Sequence, residues 1–182
     1  MTCLPAAVGE RTRPGDDTEW ILAVALSRDT VPLGLPLPLA ASAHHVGCAV
    51  ADLDAACASY ASALGLARRT RAVRVESQQV EVCFIELRPG FYLELISPLE
   101  GNTKLARYLQ NGFYHLCFLV EDLEASRAQM KSNRFVPLPP FESEAFGGNL
   151  CQFFLSPQAH LVELCQMGEG SFEALFIASL AP

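Results

Sequence analysis

Apolar and polar positions along the chain fall into two alternating patterns. The residues from His45 to Val50 form an apolar run of strand length that stops just before Asp52. From Leu53 to Leu64 the apolar residues then recur with the i, i+3, i+4 spacing of an amphipathic helix. Asp52 is suited to cap the start of this helix, and Gly65 is suited to cap its end. The pattern predicts a strand followed directly by a helix.

A second group of strands is predicted after this helix. Gln79 to Leu87 is rich in Val and Phe, and Phe91 to Ile96 is a further apolar run; Arg88-Pro89-Gly90 forms a turn between them. Arg68 to Val75 alternates only weakly and adds at most one more strand. The first module is therefore predicted to contain one strand, one helix and up to three further strands.

The opening stretch occurs twice, which changes the architectural prediction. His45-Val-Gly-Cys-Ala-Val-Ala-Asp-Leu returns as His115-Leu-Cys-Phe-Leu-Val-Glu-Asp-Leu, an offset of 70 residues. Leu93-Glu94-Leu95 likewise returns as Val162-Glu163-Leu164, an offset of 69 residues. A repeat at one period indicates two copies of the same supersecondary unit.

The second module is predicted to follow the same order. A helix is expected from Leu123 to Lys131, and strands are expected from Leu150 to Leu155 and from His160 to Gln166. Thr103 to Gln110 is predicted to form a short connecting helix, and the loop from Phe141 to Gly148 a flexible lip.

Grouped strands after a helix indicate an α+β fold rather than a doubly wound parallel sheet. Two such modules side by side can curve their sheets around a shared cavity. We predict a domain over residues 44–167, with module one at about 44–100 and module two at about 113–167. Residues 1–43 are predicted to be a partly irregular N-terminal extension and residues 168–182 a C-terminal tail.

Composition narrows the function classes. The net charge of −7 argues against nucleic-acid binding, which depends on Lys and Arg. No apolar run reaches the roughly 18 residues of a membrane span, and acidic residues before Trp20 argue against a signal peptide. The seven cysteines include no Cys-x-x-Cys pair and read as small core residues in a reducing compartment. We therefore expect a cytoplasmic protein that binds neither nucleic acid nor membranes.

The repeat also places a His and a Glu in each module. His45 and His115 open apolar runs, and Glu94 and Glu163 lie inside apolar strands. A charge buried in such a run needs a partner or a metal. Two imidazoles and two carboxylates suit a divalent ion such as Co, Ni, Mn, Zn or Fe. We predict one metal site built from all four side chains.

Three further polar residues leave alternatives open. Glu81 is an acid inside a strand, and it is either an outward-facing residue or a general base in the cavity. His44 should point away from the site, because neighbouring residues of a strand face opposite sides. His160 lies at a turn and is expected to be exposed.

Four segments together resemble the vicinal-oxygen-chelate superfamily, which includes glyoxalase I, extradiol dioxygenases, antibiotic resistance proteins and methylmalonyl-CoA epimerase. They are His45-Val-Gly-Cys-Ala-Val-Ala-Asp-Leu, Tyr92-Leu-Glu-Leu-Ile-Ser-Pro-Leu, Tyr114-His-Leu and Leu161-Val-Glu-Leu. The resemblance covers about residues 44–167 and is greatest to the epimerase. It implies two βαβββ modules around a metal cleft, in a homodimer.

The resemblance also implies site residues and a reaction. Metal ligands fall on His45, Glu94, His115 and Glu163, and the two acid/base positions fall on Glu81 and Glu163. The implied function is a metal-dependent epimerase that moves the α-proton of a carbonyl or acyl-thioester substrate, with acyl-CoA as a candidate, through a metal-stabilised enediolate.

Two departures from the family pattern keep other functions open. The family often has His-Pro-Lys before the last strand, where this chain has Ser156-Pro157-Gln158, and the chain has only two lysines. An epimerase or isomerase that acts on a different carbonyl substrate is therefore an alternative. The rival functions are a glyoxalase I-like lyase and a non-enzymatic protein that binds a small molecule such as an antibiotic.

Overall fold

The computed structural model describes residues 41–66 and 68–166. The predicted N-terminal extension lies outside the described residues, apart from residues 41–43, which belong to the first strand. The predicted C-terminal tail, residues 168–182, also lies outside them.

The first module contains one helix and four strands. Its elements are β1 (Ala41–Ala49), α1 (Leu53–Leu64), β2 (Val73–Val75), β3 (Val80–Arg88) and β4 (Phe91–Pro98). The predicted helix caps are confirmed. The Asp52 side chain accepts a hydrogen bond from the Ala55 backbone N–H at 2.9 Å, and Gly65 adopts the left-handed conformation with φ of 67°.

The second module repeats this order. Its elements are β5 (Phe113–Val120), α2 (Leu123–Ser132), β6 (Val136–Pro137), β7 (Phe141–Ser143), a 3₁₀ turn (Glu144–Phe146), β8 (Asn149–Leu155) and β9 (Leu161–Gln166). Asp122 caps α2 in the same way as Asp52 caps α1, by accepting from the Ala125 N–H at 2.9 Å. The described residues contain no helix long and apolar enough to cross a membrane.

The nine strands of the described residues belong to one mixed sheet with the order β2-β3-β4-β1-β5-β9-β8-β6, and β7 pairs with β8. β1 runs parallel to β4, and β5 runs parallel to β9. The antiparallel pair β1–β5 joins the two modules at the middle of the sheet. The predicted α+β architecture of two modules is confirmed, and the first strand of each module lies at the centre.

Each helix packs against one face of the sheet, over the strands of its own module. Leu53 and Cys57 of α1 pack against Cys83, Ile85 and neighbouring residues of β3 and β4. Leu123 and Met130 of α2 pack against β8 and β9. The opposite face carries a separate apolar cluster that includes Val82, Phe84, Tyr92, Ile96 and Phe146. This second face is the one that surrounds the cavity.

Two local predictions were wrong. The connector predicted as a helix from Thr103 to Gln110 is a series of turns, because its backbone bonds join residues three apart, as from Ala106 to Thr103 and from Tyr108 to Leu105. The stretch predicted as a loop from Phe141 to Gly148 contains β7 and the 3₁₀ turn, and Phe146 within it is only 3% exposed. Burial of this aromatic ring anchors the segment against the core.

Candidate metal centre

Strand register brings the four repeated side chains to one face of the sheet. Gly47, two residues beyond His45, lies beside Glu94 in the parallel pair β1–β4. Cys117, two residues beyond His115, lies beside Glu163 in the parallel pair β5–β9. Residues two apart on a strand face the same side, so each His shares a face with the Glu of its own module.

The antiparallel pair at the centre then brings the two modules together. Gly47 lies opposite His115, and His45 lies opposite Cys117. The prediction that all four side chains would converge is therefore matched by their positions. All four are buried, with exposures of 1% for His45, 2% for His115, 6% for Glu94 and 4% for Glu163.

The donor atoms of the four side chains form a compact group. The Nε2 atoms of His45 and His115 lie 2.8 Å apart. The Oε2 atom of Glu94 lies 3.2 Å from the first of these nitrogens and 3.3 Å from the second. The Oε2 atom of Glu163 lies 3.4 Å and 3.2 Å from the same two nitrogens. Each carboxylate oxygen thus lies 3.2–3.4 Å from both imidazole nitrogens.

These spacings fit donors around one cation. Donors about 2.1 Å from a shared ion lie about 3.0 Å apart at right angles and about 3.4 Å apart at the tetrahedral angle. The five donor separations of 2.8–3.4 Å fall close to this range. His45, Glu94 and His115 also form one of three groups of potential ligands among the described residues. Nitrogen and oxygen donors in this mixture suit borderline divalent ions.

The charges of the four side chains also favour a cation at this site. Burial alone raises the pKa of Glu94 and Glu163, but the charges and hydrogen bonds of His45 and His115 outweigh it and hold both carboxyl pKa values below their ordinary range. Burial alone lowers the pKa of His115, but the hydrogen bonds that its ring donates to the two carboxylates outweigh burial and raise that pKa to about 9. Without a metal, the carboxylates are therefore compensated by protons on the imidazoles.

Gly47 is a site residue that the sequence analysis missed. A Cβ atom at this position would lie 2.3 Å from Cε1 and 2.4 Å from Nδ1 of His115. The imidazole therefore occupies the space that any side chain at position 47 would fill. The repeat contained a signal for this position, because Gly47 and Cys117 each follow the His of their own module by two residues. In the sheet, each of them lies opposite the His of the other module.

His44 does not point away from the site as predicted. The pairing of β1 with β5 shifts between Ala43 and His45, so His44 is the extra residue of a β-bulge. Its ring is buried, and its Nδ1 atom lies 2.8 Å from the Nδ1 atom of His45. Burial and the neighbouring His45 lower the pKa of His44 to about 3, so this ring is neutral.

Glu81 does not lie in the cavity, contrary to its predicted role as an acid/base residue there. Its neighbours Val80 and Val82 line the cavity, so Glu81 points to the opposite face of β3. Its carboxylate is 35% exposed and lies 3.7 Å from the Arg74 guanidinium. The predicted role has no support from this placement, because strand alternation sends the side chain to the wrong side of the sheet.

A cavity of about 60 Å³ adjoins the four-residue group and opens to solvent. Glu94, His115 and Glu163 contribute to its wall, and the rest of the wall is mostly apolar. The polar residues that line it outside the group are Gln78, Asn102, Lys104, Tyr114 and Ser143. Outside the four-residue group, Lys104 is the only cationic side chain among the described residues of this wall. The cavity can therefore hold a small, partly apolar ligand against the four-residue group.

An outer groove of about 560 Å³ shares part of this wall. Gln78, Lys104, Tyr114 and Phe153 line both spaces. Arg107 lines the groove but not the cavity, and it adds a second positive charge beside Lys104. A ligand with a reactive end in the cavity can therefore extend along the groove past two cationic side chains.

Thiols lie directly behind the four-residue group. Cys117 forms one group of potential ligands with His44 and His45, and another with Glu163 and Cys165. The six cysteines of the described residues are free, and five of them are buried. Burial raises the pKa of Cys165 well above its ordinary value, so this thiol keeps its proton at neutral pH. The predicted role of these residues as small core residues agrees with their burial.

Comparison with curated proteins finds two relatives in this region. The chain is 38% identical over 93 residues to the ethylmalonyl-CoA/methylmalonyl-CoA epimerase of Cereibacter sphaeroides, which covers 48% of this chain and 67% of the relative. It is 33% identical over 95 residues to the mitochondrial methylmalonyl-CoA epimerase of Homo sapiens, which covers 50% of this chain. The match spans about half of the human protein, 53% of its length.

Solved structures share the fold. A methylmalonyl-CoA epimerase from Mycobacterium tuberculosis superposes with a TM-score of 0.63 at 22% identity, over 75% of this chain and 95% of that chain. A methylmalonyl-CoA epimerase in complex with methylmalonyl-CoA and NH4+ gives a TM-score of 0.59 at 22% identity, over 71% of this chain and 96% of that chain.

The model of one protein family matches residues 44–153, a range that includes His45, Glu94 and His115 of the four-residue group. The match therefore spans both modules, and it agrees with the relatives found by sequence. The chain belongs to the Glyoxalase/Bleomycin resistance protein/Dioxygenase superfamily, close to the methylmalonyl-CoA epimerases within it.

Proposed function

We propose that this protein is a metal-dependent epimerase that moves the α-proton of an acyl-thioester substrate. The observation that carries the proposal is a pair of imidazole nitrogens 2.8 Å apart at the wall of a cavity, with one oxygen of Glu94 and one of Glu163 each 3.2–3.4 Å from both nitrogens. The relatives named as epimerases support the reaction type.

His45, Glu94, His115 and Glu163 would hold the metal. A divalent ion bound there supplies Lewis acidity, which polarises a substrate carbonyl and makes the neighbouring C–H more acidic. The two carboxylates and two neutral imidazoles leave a net charge of −2 for the ion to neutralise. The four side chains are buried, and the lower local dielectric strengthens their interactions with a cation.

Glu163 is the residue we propose to accept the α-proton. Its carboxylate lines the cavity and is 4% exposed, so it can reach a bound substrate while remaining shielded from bulk water. With a metal held by the four side chains, the imidazoles would be neutral, and the second oxygen of Glu163 would be available as a base. Glu94 lines the same cavity and serves mainly as a ligand in this proposal.

Inversion of the α-carbon also requires a proton donor on the opposite side. Glu81 lies outside the cavity, so another residue must supply this proton. Tyr114 and Lys104 line the cavity and carry ionisable protons. Burial raises the pKa of Tyr114 well above its ordinary value, so Tyr114 is protonated at neutral pH. These two residues are the candidates for the second acid.

Acyl-CoA is the substrate class that the two spaces fit best. The cavity lies beside the proposed metal ligands and opens to solvent, so it can receive a short acyl group, and the adjoining groove can hold a longer arm past Lys104 and Arg107. The relatives named for ethylmalonyl-CoA and methylmalonyl-CoA support substrates with a short branched acyl group that carries a carboxylate.

The test is exchange of the α-proton in deuterated water, followed by NMR. The metal-loaded protein should exchange the α-proton of methylmalonyl-CoA or ethylmalonyl-CoA, and removal of the metal by a chelator should abolish the exchange. Glu163→Gln should lose exchange, while Glu121→Gln, which changes an exposed carboxylate at the end of β5, should keep it.

Three results would contradict the proposal. Full exchange after chelation would remove the metal from the reaction. Full exchange in Glu163→Gln would remove the proposed base. Tight binding of a small molecule by a protein that holds no metal and exchanges no α-proton would favour the alternative of a non-enzymatic binding protein.

A further inference from the structure

The Nδ1 atom of His45 has a buried partner on the same strand. The Nε2 atom of His45 faces His115, Glu94 and Glu163, so it is the atom available to a metal. The other ring nitrogen, Nδ1, lies 2.8 Å from the Nδ1 atom of His44, which is a normal hydrogen-bond distance. One of these two Nδ1 atoms must therefore carry a proton and the other a lone pair.

A break in strand geometry makes this contact possible. In a regular strand, the side chains of His44 and His45 would face opposite sides of the sheet. The shift in pairing between Ala43 and His45 adds one residue to β1 and turns both rings to the same side. His44 is 3% exposed and His45 is 1% exposed, so both rings are held in the protein interior.

Aromatic side chains fix the orientation of the His44 ring. The ring centroids of Tyr92 and Phe146 lie 4.9 Å and 5.4 Å from that of His44. The two imidazoles themselves meet edge to face, with an interplanar angle of 80°. This packing leaves His44 little freedom to turn its Nδ1 atom away from His45.

We propose that His44 is a positioning residue that fixes the tautomer and orientation of His45 for metal binding. This inference rests on the proposed metal site. If Nε2 of His45 binds the ion, that atom has no proton, so Nδ1 of His45 carries it and donates it to Nδ1 of His44. Partners of this kind fix the ring and raise the basicity of a metal-binding His. His115 has no such partner among the described residues, since its buried Nδ1 atom lies over Gly47.

Two substitutions separate the hydrogen bond from the packing. His44→Phe keeps an aromatic ring of similar size but removes the acceptor. His44→Asn loses the ring but places an amide oxygen near the position of Nδ1. The proposal predicts that His44→Phe weakens zinc binding by about 10- to 100-fold, whereas His44→Asn stays within a few-fold of the parent. His160→Phe, a change at an exposed turn, is the matched control and should leave zinc affinity unchanged.

The tautomer itself can be read by NMR. The chain contains four His residues, so protein labelled with ¹⁵N at its imidazoles gives a small set of signals. In the zinc-loaded protein, His45 should carry its proton on Nδ1, and His44 should carry its proton on Nε2. Circular dichroism should show that all three variants are folded.

The outcomes distinguish this inference from the proposed function. Zinc binding by the parent together with unchanged affinity in His44→Phe, or a proton on Nδ1 of His44, overturns the inference and leaves the metal site standing. Loss of affinity in His44→Asn but not in His44→Phe assigns His44 a packing role and also overturns it. Failure of the parent to bind zinc overturns both.

Discussion

Replacement of Gly47 by Ala should destroy the metal site while leaving the fold in place. The added Cβ atom would lie 2.3 Å from Cε1 and 2.4 Å from Nδ1 of His115. Ordinary van der Waals contact begins at about 3.4 Å, so the imidazole would have to withdraw by about 1.1 Å. A metal site tolerates errors of only about 0.2 Å in ligand distance. His115 would therefore be lost as a ligand.

The surroundings of His115 prevent a small adjustment. Its ring is 2% exposed and packs against Tyr114 and Phe153, whose ring centroids lie 5.0 Å and 5.2 Å away. Overpacking of this kind costs about 1–3 kcal/mol of stability. Loss of a partner that only orients a ligand typically costs about 10- to 100-fold in metal affinity, so loss of the ligand itself should cost at least about 100-fold.

Metal affinity and stability should be measured separately for this variant. Competition with a coloured chelator gives the affinity, and urea unfolding gives the free energy of unfolding. Gly65→Ala is the matched control, because Gly65 has φ of 67° and no atom within 4 Å of an added Cβ. That change costs about 1–2 kcal/mol through backbone strain but should leave metal affinity intact. A folded Gly47→Ala protein with the affinity of the parent would refute the position assigned to His115.

Four further predictions concern charge and proton transfer. Metal affinity should rise by about tenfold per pH unit for each displaced proton, from neutral pH to about 9, because His115 has a pKa of about 9 and must lose a proton to bind the metal. Calorimetry in two buffers would measure the proton released on binding, and binding without proton release would contradict the prediction. Glu81→Gln should keep both metal affinity and α-proton exchange, and loss of exchange would return Glu81 to the mechanism. Lys104→Met should weaken acyl-CoA binding at low salt, measured by titration, and unchanged affinity would show that Lys104 does not contribute to acyl-CoA binding. Tyr114→Phe should slow epimerisation more than α-proton exchange if Tyr114 returns the proton, and equal slowing of both rates would exclude that role.

Local sequence patterns predicted the elements well because their causes are local. Asp52 and Asp122 cap their helices through contacts within three residues, and the left-handed Gly65 ends α1. The repeat also predicted the convergence of the four side chains, since both modules place a His and a Glu at matching positions. These features need no knowledge of how distant strands pair.

Features that depend on strand pairing were not predictable in the same way. The position of Glu81 depends on the face that β3 turns to the cavity, which follows from its pairing of Phe84 with Glu94. A shift of one residue reverses every side chain on a strand. His44 was assigned to the wrong face because the bulge before His45 interrupts the alternation. The role of Gly47 emerges only when β5 brings His115 against it.

X-ray absorption spectroscopy of the zinc-loaded protein tests the central claim most directly. Coordination by His45, Glu94, His115 and Glu163 predicts one zinc per chain, with only nitrogen and oxygen in the first shell at about 2.0–2.2 Å and scattering from two imidazole rings. A sulfur shell at about 2.3 Å would contradict the claim, because the metal would then be bound by Cys117 or Cys165 behind the cavity.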